Sequence, residues 1–340
     1  MTKLSAASTV ALLFAVAPSS GLAQGHHFPS DDDLRTILRY LVEDTPVAGM
    51  VLGVLEADGS TRVVSYGTAG EGARPLGPQS RFEIGSITKT FTGTLLADAV
   101  TRGLVSLDDP VQMHLPDTVR VPSRNGREIT LLDLVTHRSG LPRLATNHVA
   151  EDPDDPYADY TIATMYAFLS QHELRRDPGA EYEYSNLGFH LLGHALGRAS
   201  GTSFTDLVKR RLLQPLGMSQ TGYDLEGEGV EWMARGHRRL AVTSYNTGTE
   251  ARRGAGGLRS NVLDMLEYLK ANVGPPTNVA EQALRDAHAP RSAFGDRGSR
   301  VGLAWVTTVA GGRSTVEHGG GTGGFTSRIA FDPDRRVGDG

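Results

Sequence analysis

Two hydrophobic periods alternate along this chain. Leu34, Ile37, Leu38 and Leu41 recur at helical spacing behind the acidic residues Asp31 to Asp33, which predicts an amphipathic first helix from Asp31 to Glu43. The period then switches to two. VAGMVLGVLEADGSTRVVSYG reads as two β-rich runs joined at Asp58-Gly59, a strong hairpin signal. Helical spacing returns with Phe91, Leu95, Leu96 and Ala99, predicting a helix from Ser86 to Val100. ITLLDLV, TIATMYAFLSQHEL, LGFHLLGHALGRAS and FTDLVKRRLL are further helical pieces between Pro and Gly punctuation, and Ser203 with Asp206 resembles a capping box. SNVLDMLEYLKAN is another amphipathic helix, after which the strand-like runs GLAWVTTV, STVEHGG and SRIAFDP close the chain. Strands therefore flank a helical middle. That order predicts an α+β fold: one antiparallel sheet built from both chain ends, with flanking helices and a mostly helical insert.

Composition narrows the class. With 340 residues and 39% hydrophobic content the chain can bury a large core, in one composite domain or two. With a net charge of −5 and no basic stripe, no nucleic-acid partner is expected, and the short runs Asp31-Asp32-Asp33 and Asp152 to Asp155 read as solvated surface. There is no cysteine, hence no disulfide, thiol chemistry or lipid-modified N-terminal cysteine, which suits an oxidising compartment. Lys3, the apolar stretch Ala6 to Ala17 and the small residues around Gly21-Leu22-Ala23 read as a signal peptide over 1–23, cut at or just after Ala23. The apolar stretch is too short to span a bilayer. A periplasmic or secreted protein with no stable membrane span is expected; the alternative is a retained anchor.

The candidate chemistry begins with a lysine. The chain has four lysines among its 34 basic residues, and one of them, Lys89, lies in the uncharged run EIGSITKTFTG, three residues after Ser86. At i and i+3 the two share a helix face. Ser86 falls near a helix N-terminus, where free N–H groups favour developing negative charge. A lysine on a buried helix can reach the neutral amine near pH 7, which arginine cannot. Ser-x-x-Lys alone is a weak motif that a solvated helix could also carry.

Two later stretches add to it: Tyr184-Ser185-Asn186 ahead of a helix, and His318-Gly319-Gly320 at the end of a strand. With them the chain resembles the serine β-lactamase and penicillin-binding protein superfamily, in its class C β-lactamase and DD-peptidase branch. In class A relatives the order is Ser-x-x-Lys, Ser-Asp-Asn, Lys-Thr-Gly; in the class C branch the middle motif is Tyr-x-Asn, as here. LLDLVTHRSGLP (131 to 142) and GAGGLRSNVLDM (254 to 265) also look like connecting segments of this family. The resemblance covers about residues 30 to 338.

It implies roles for matching positions. Ser86 is the acylated nucleophile, with Lys89 and Tyr184 as the proton-transfer pair and Tyr184 a phenolate-like base held near a working pKa by cationic Lys89. Asn186 binds the substrate's amide side chain, unless it serves as a helix cap. The backbone N–H groups of Ser86 and Gly321 form the oxyanion hole, and Gly319 and Gly320 let the strand approach the substrate. His318 stands where β-lactamases carry lysine, and as an unperturbed histidine would titrate near about 6.5. No cofactor and no metal are expected: His190 and His194 are four residues apart on one helix but lack a third ligand. His137 reads as a loop brace.

The domain expectation is a β-lactamase-like domain over 28–340, its α/β part made of 28–82 and 255–340 and its mainly helical part of 83–254. Relatives continue past SRIAFDPDRRVGDG with an apolar strand, lying between the first hairpin and the third-motif strands, and a C-terminal helix. The chain is therefore expected to be a truncated or frameshifted form lacking that strand and helix, with SRIAFDP paired directly to the hairpin or left exposed. The expected function is a serine hydrolase forming an acyl-enzyme with D-Ala-D-Ala peptides or β-lactams, small-molecule or peptidoglycan-peptide substrates. The alternatives are a carboxylesterase on the same scaffold and a catalytically silent penicillin-binding or scaffold protein.

Overall fold

The alternation of the first hairpin decides which side of the central sheet each helix covers. In the computed structural model, which describes residues 27–340 apart from 153–154, 156, 225–226, 239–240, 244–247 and 296–297, helix α1 (Asp31–Glu43) precedes strands β1 (Gly49–Leu55) and β2 (Thr61–Gly67). The signal peptide expected at 1–23 lies outside the described residues. Ser30 caps α1 by accepting the Asp33 N–H. Leu34 and Leu38 of α1 pack with Phe28, Leu52, Val54 and Val64 on one face of the sheet. Val51, Leu55 and Val63, one residue out of phase, turn to the other face and join the main core.

The rest of the sheet comes from the far end of the chain. Two short pairs bridge the middle: β3 (Arg81–Glu83) with β6 (Arg259–Asn261), and β4 (Gly236–Arg238) with β5 (Ala241–Thr243). Then β7 (Ser292–Phe294), β8 (Ser299–Val301), β9 (Val306–Ala310), β10 (Arg313–Gly321), β11 (Thr326–Asp332) and β12 (Val337–Asp339) complete eight antiparallel strands in the order β2-β1-β12-β11-β10-β9-β8-β7. Helices α2 (Thr88–Thr101), α3 (Leu131–Val135), α4 (Ile162–Gln171), α5 (Asn186–Ala199), α6 (Phe204–Val208) and α7 (Glu228–Glu231) supply the helical middle. Helices α8 (Val262–Val273) and α9 (Val279–His288) follow it, and α8 lies on β1, β11 and β12.

The expectation of a missing strand is corrected here. Val337–Asp339 forms β12, and it separates β11 from the hairpin: Leu55 pairs with Gly338 on one side, Phe331 with Gly338 on the other. SRIAFDP is therefore neither paired to the hairpin nor exposed; Ile329, Ala330 and Phe331 are fully buried. Val337 completes the small core under α1. Three residues suffice because the turn at Asp332 is self-bonded, its carboxylate accepting the N–H groups of Asp334 and Arg335. Gly340 exchanges two backbone hydrogen bonds with Gly53 and so extends the pairing of β12 with β1. A cavity of about 550 Å³ lies beside β1, lined by Leu38, Met50, Leu52 and Phe325 among others.

Helix α2 is the hub of the main core. Its residues 88–99 are all buried, so it carries no solvent stripe. Four of them are threonines, and each hydroxyl has an internal partner: Thr88 accepts the Leu258 N–H, Thr90 bonds the Ile87 carbonyl and the Tyr268 hydroxyl, Thr92 the Gly254 carbonyl, Thr94 the Thr90 carbonyl. Burial of these hydroxyls is tolerated because each is satisfied. The helix starts later than its hydrophobic period implied. Gly85–Ile87 is a separate 3-10 turn, and α2 begins at Thr88.

Candidate active site

The 3-10 turn places Ser86 at the N-terminal end of α2, half-buried, between the helical middle and β10. The turn can sit there because of two glycines. Gly85 has φ +51°, and a Cβ on it would come within 2.6 Å of the Gly321 backbone nitrogen. A Cβ on Gly320 would come within 2.1 Å of the Ile84 carbonyl oxygen, the same carbonyl that accepts the Ser327 hydroxyl at 2.9 Å. The end of β10 is thus pressed backbone to backbone against the serine's turn.

Lys89 follows one helical turn inward and is fully buried. Its Nζ lies 3.0 Å from Ser86 Oγ and donates to the Ala255 carbonyl at 2.7 Å. Tyr184 reaches the same oxygen, its hydroxyl donating to Ser86 Oγ at 2.8 Å. Lys89 Nζ stands 5.0 Å from the centroid of the Tyr184 ring and 5.6 Å from that of Phe189. Ser86, Lys89 and Tyr184 therefore share one hydrogen-bonded point. A neutral Lys89 has N–H for Ala255 and a lone pair for the serine proton, while the serine oxygen accepts from the phenol.

The electrostatics differ from the expectation of a phenolate beside an ammonium. Burial pushes Lys89 well below its ordinary value of 10.5, and the nearby charges of Arg143 and Arg252 push the same way. Burial raises Tyr184 above 10.0, against smaller opposing effects of the Ser86 hydrogen bond and Arg143. Desolvation acts on both groups in the direction of neutral amine and neutral phenol.

His137 holds Tyr184 in place. It sits at φ +60°, its Nδ1 accepts the Ser185 N–H at 3.0 Å, and its ring stacks on the Tyr184 ring with centroids 4.4 Å apart. The accepted hydrogen bond fixes the neutral tautomer, and burial holds His137 well below 6.5. The cap of α5 is Ser185, whose hydroxyl accepts the Gly188 N–H at 2.9 Å. Asn186 is the first residue of that helix, and among the described residues its side-chain amide makes no hydrogen bond.

His318 lies on β10 opposite Ile329 and is buried. Its Nδ1 is 2.7 Å from the Gly319 carbonyl oxygen, so that nitrogen carries the proton. Burial, with the Lys89 charge adding, lowers its pKa to about 4, well under the unperturbed value expected from sequence. Gly319, Gly320 and Gly321 continue β10 past it.

Sequence reasoning missed Arg143. Its backbone carbonyl accepts the N–H groups of Asn186 and Leu187 at 3.0 and 3.1 Å, and its guanidinium carbon lies 5.1 Å from the Tyr184 ring centroid. Its signal was its place directly after SGLP in a connecting block. Arg252 was missed as well; it stacks over Tyr157 with the guanidinium carbon 3.4 Å from the ring centroid. His190 packs against the Tyr160 ring, and His194 Nε2 meets the Tyr166 hydroxyl at 2.5 Å. Among the described residues there is no group of three or more His, Cys, Asp or Glu side chains arranged to hold a metal ion, and no helix long and apolar enough to cross a membrane.

A family model described as Beta-lactamase matches residues 34–338. The chain is 32% identical over 311 residues to the D-alanyl-D-alanine-carboxypeptidase/endopeptidase AmpH of Escherichia coli K12, covering 85% of this chain and 77% of that protein. It is 26% identical to a beta-lactamase of the same organism, over 91% of this chain and 87% of the relative. Among solved structures, a beta-lactamase/D-alanine carboxypeptidase from Yersinia pestis complexed with citrate superposes with a TM-score of 0.77 at 27% identity, covering 88% of each chain.

Proposed function

The chain belongs to the beta-lactamase family and is a serine hydrolase, and from that premise we propose that it works through an acyl-enzyme on Ser86, with D-Ala-D-Ala peptides or β-lactams as acyl donors. The observation that carries this reading is the pair of contacts on one oxygen: Ser86 Oγ lies 3.0 Å from Lys89 Nζ and 2.8 Å from the Tyr184 hydroxyl. Neutral Lys89 takes the serine proton as Oγ bonds to the substrate carbonyl carbon. The carbonyl electron pair moves onto its oxygen, which faces the backbone N–H groups of Ser86 and Gly321. Collapse breaks the C–N bond, and the Tyr184 phenol protonates the leaving nitrogen and recovers its proton from the Lys89 ammonium. Water then attacks the ester by the same groups in reverse and frees Ser86.

Asn186, whose amide makes no hydrogen bond among the described residues, would bind the amide of the acyl-donor side chain. Ser86, Lys89 and Tyr184 fall in the helical part proposed over 83–254, and His318 to Gly321 in the sheet part made of 28–82 and 255–340, so the site lies on their seam. A periplasmic or secreted location follows from the reading of 1–23 as a signal peptide.

What supports a carboxylesterase as the second reading is His318. With its pKa near about 4 it is neutral at pH 7 and offers no cation to a substrate carboxylate. The test is to incubate the protein with benzylpenicillin and look by mass spectrometry for an adduct on the peptide containing Ser86. Turnover of nitrocefin, a D-Ala-D-Ala peptide and a p-nitrophenyl ester, side by side, then separates the readings. No adduct and turnover of the ester alone would leave only the esterase.

A further inference from the structure

We infer that Arg143 is a specificity-determining residue that selects acyl donors carrying a carboxylate on the side-chain half of the molecule, beside the group bound by Asn186. The inference rests on the acyl-enzyme reading above.

Four observations carry it. Arg143 is exposed, and among the described residues its guanidinium makes no hydrogen bond or ion pair. Its donors are therefore open to a ligand, and guanidinium matches a carboxylate in two-point geometry. It is nevertheless fixed in place. Its carbonyl accepts two N–H groups from the start of α5, at Asn186 and Leu187, and its guanidinium lies over the Tyr184 ring. A cation already ordered against an aromatic face loses less freedom when it binds. The third observation is its neighbour: Asn186, whose amide also makes no hydrogen bond among the described residues, starts the helix that the Arg143 carbonyl caps. A donor whose side-chain amide meets Asn186 would bring its next polar group to Arg143.

The fourth observation is that Lys89, Arg252 and His318, the other basic groups named at this site, are engaged or neutral. Lys89 is spent on Ser86 and Ala255. Arg252 is stacked on Tyr157. His318 donates to its own strand and is uncharged at neutral pH. Arg143 is an exposed cation beside Tyr184, and it sits on the Asn186 side rather than on β10. The selectivity is therefore expected for the acyl side chain and not for the leaving group.

The experiment compares benzylpenicillin with carbenicillin, which differ by one carboxylate on the acyl side chain and share the ring carboxylate. Second-order acylation constants are measured for each by competition with a fluorescent penicillin. Within one protein the ratio of the two constants cancels changes in the general base, including any effect of position 143 on Lys89. In Arg143→Gln the ratio of carbenicillin to benzylpenicillin is expected to fall about tenfold, the size of one charge-assisted hydrogen bond. In Arg143→Lys it should fall less. In the unaltered protein the ratio should drop when sodium chloride is raised, since an exposed ion pair is screened, a measurement that needs no variant. A ratio within twofold of wild type in Arg143→Gln, or a salt-independent ratio, overturns the inference while leaving acylation of Ser86 intact. Failure of both penicillins to label wild-type Ser86 overturns the acyl-enzyme reading instead, and this inference with it.

Discussion

The Tyr184 hydroxyl donates to Ser86 Oγ at 2.8 Å across 98 residues of sequence. No local preference produces this contact. It exists because Ser185 caps α5, His137 stacks on the tyrosine, and α2 and α5 pack in one core. Removing only the hydroxyl, in Tyr184→Phe, should leave the ring stack and the melting temperature nearly unchanged. Acylation by benzylpenicillin should fall by about 10² to 10⁴, the range for a positioned proton-transfer group. Stopped-flow fluorescence checks it, and a fall of less than tenfold would remove Tyr184 from the proton path.

Lys89→Arg should abolish acylation, because arginine keeps its charge but does not accept the serine proton at working pH. Position 89 is fully buried, so circular dichroism and a thermal melt must accompany the assay. A folded Lys89→Arg protein that retains a tenth of wild-type turnover contradicts the role given to the amine.

The pH dependence has a definite sign. Lys89 must be neutral to act as base, so the rate rises as pH rises through its depressed pKa. Arg143 is one of the charges that depress it, so in Arg143→Gln the acid limb of the kcat/KM profile should move to higher pH. His318, lowered to about 4, should contribute nothing to carboxylate binding between pH 8 and pH 5.5 and become cationic only below its pKa. A carboxylate preference that climbs through pH 6.5 would show that His318 is less buried than described.

Gly320→Ala and Gly321→Ala should behave differently although the residues are adjacent. The first adds a methyl 2.1 Å from the Ile84 carbonyl oxygen and must push β10 away from the serine's turn. The second adds one into open space. Acylation should be lost in Gly320→Ala with the sheet still folded, whereas Gly321→Ala should keep the wild-type melting temperature. Parallel melts and labelling with fluorescent penicillin test both.

Asp339 links the last strand to pH. It is buried in β12, paired to Arg328 at 2.9 Å, and burial raises its pKa from 3.8 to about 6. A raised folded-state pKa means that its favourable contribution is complete below about pH 4 and is lost as pH rises through 6. Wild type should therefore lose a few degrees of Tm between pH 5 and pH 8 relative to Asp339→Asn, on the order of what 1–2 kcal/mol produces in a chain this size. Equal slopes for the two proteins would exclude Asp339 as the titrating group.

The sequence by itself determined the parts whose cause is local. Period two in β1 and β2 and the Asp58-Gly59 turn fixed the hairpin, and Ser30, Ser203 and Asn261 each cap the helix that follows. Its ordered motifs also marked Ser86, Lys89 and Tyr184, because Ser-x-x-Lys and Tyr-x-Asn are short patterns whose members share a turn or a helix start. The tertiary structure decided what depends on distant neighbours. Three residues at 337–339 became a central strand because β1 and β11 stand on either side to pair with them, which no window of the sequence contains. The 3-10 turn at Ser86 exists because β10 presses on it through Gly320 and Gly321. Protonation was likewise beyond reach of the sequence: Lys89, Tyr184 and His318 are all shifted chiefly by burial, and burial belongs to the folded surroundings and not to the residue. Arg143 gains its place from α5, whose first N–H groups bond to its carbonyl and leave its guanidinium over Tyr184.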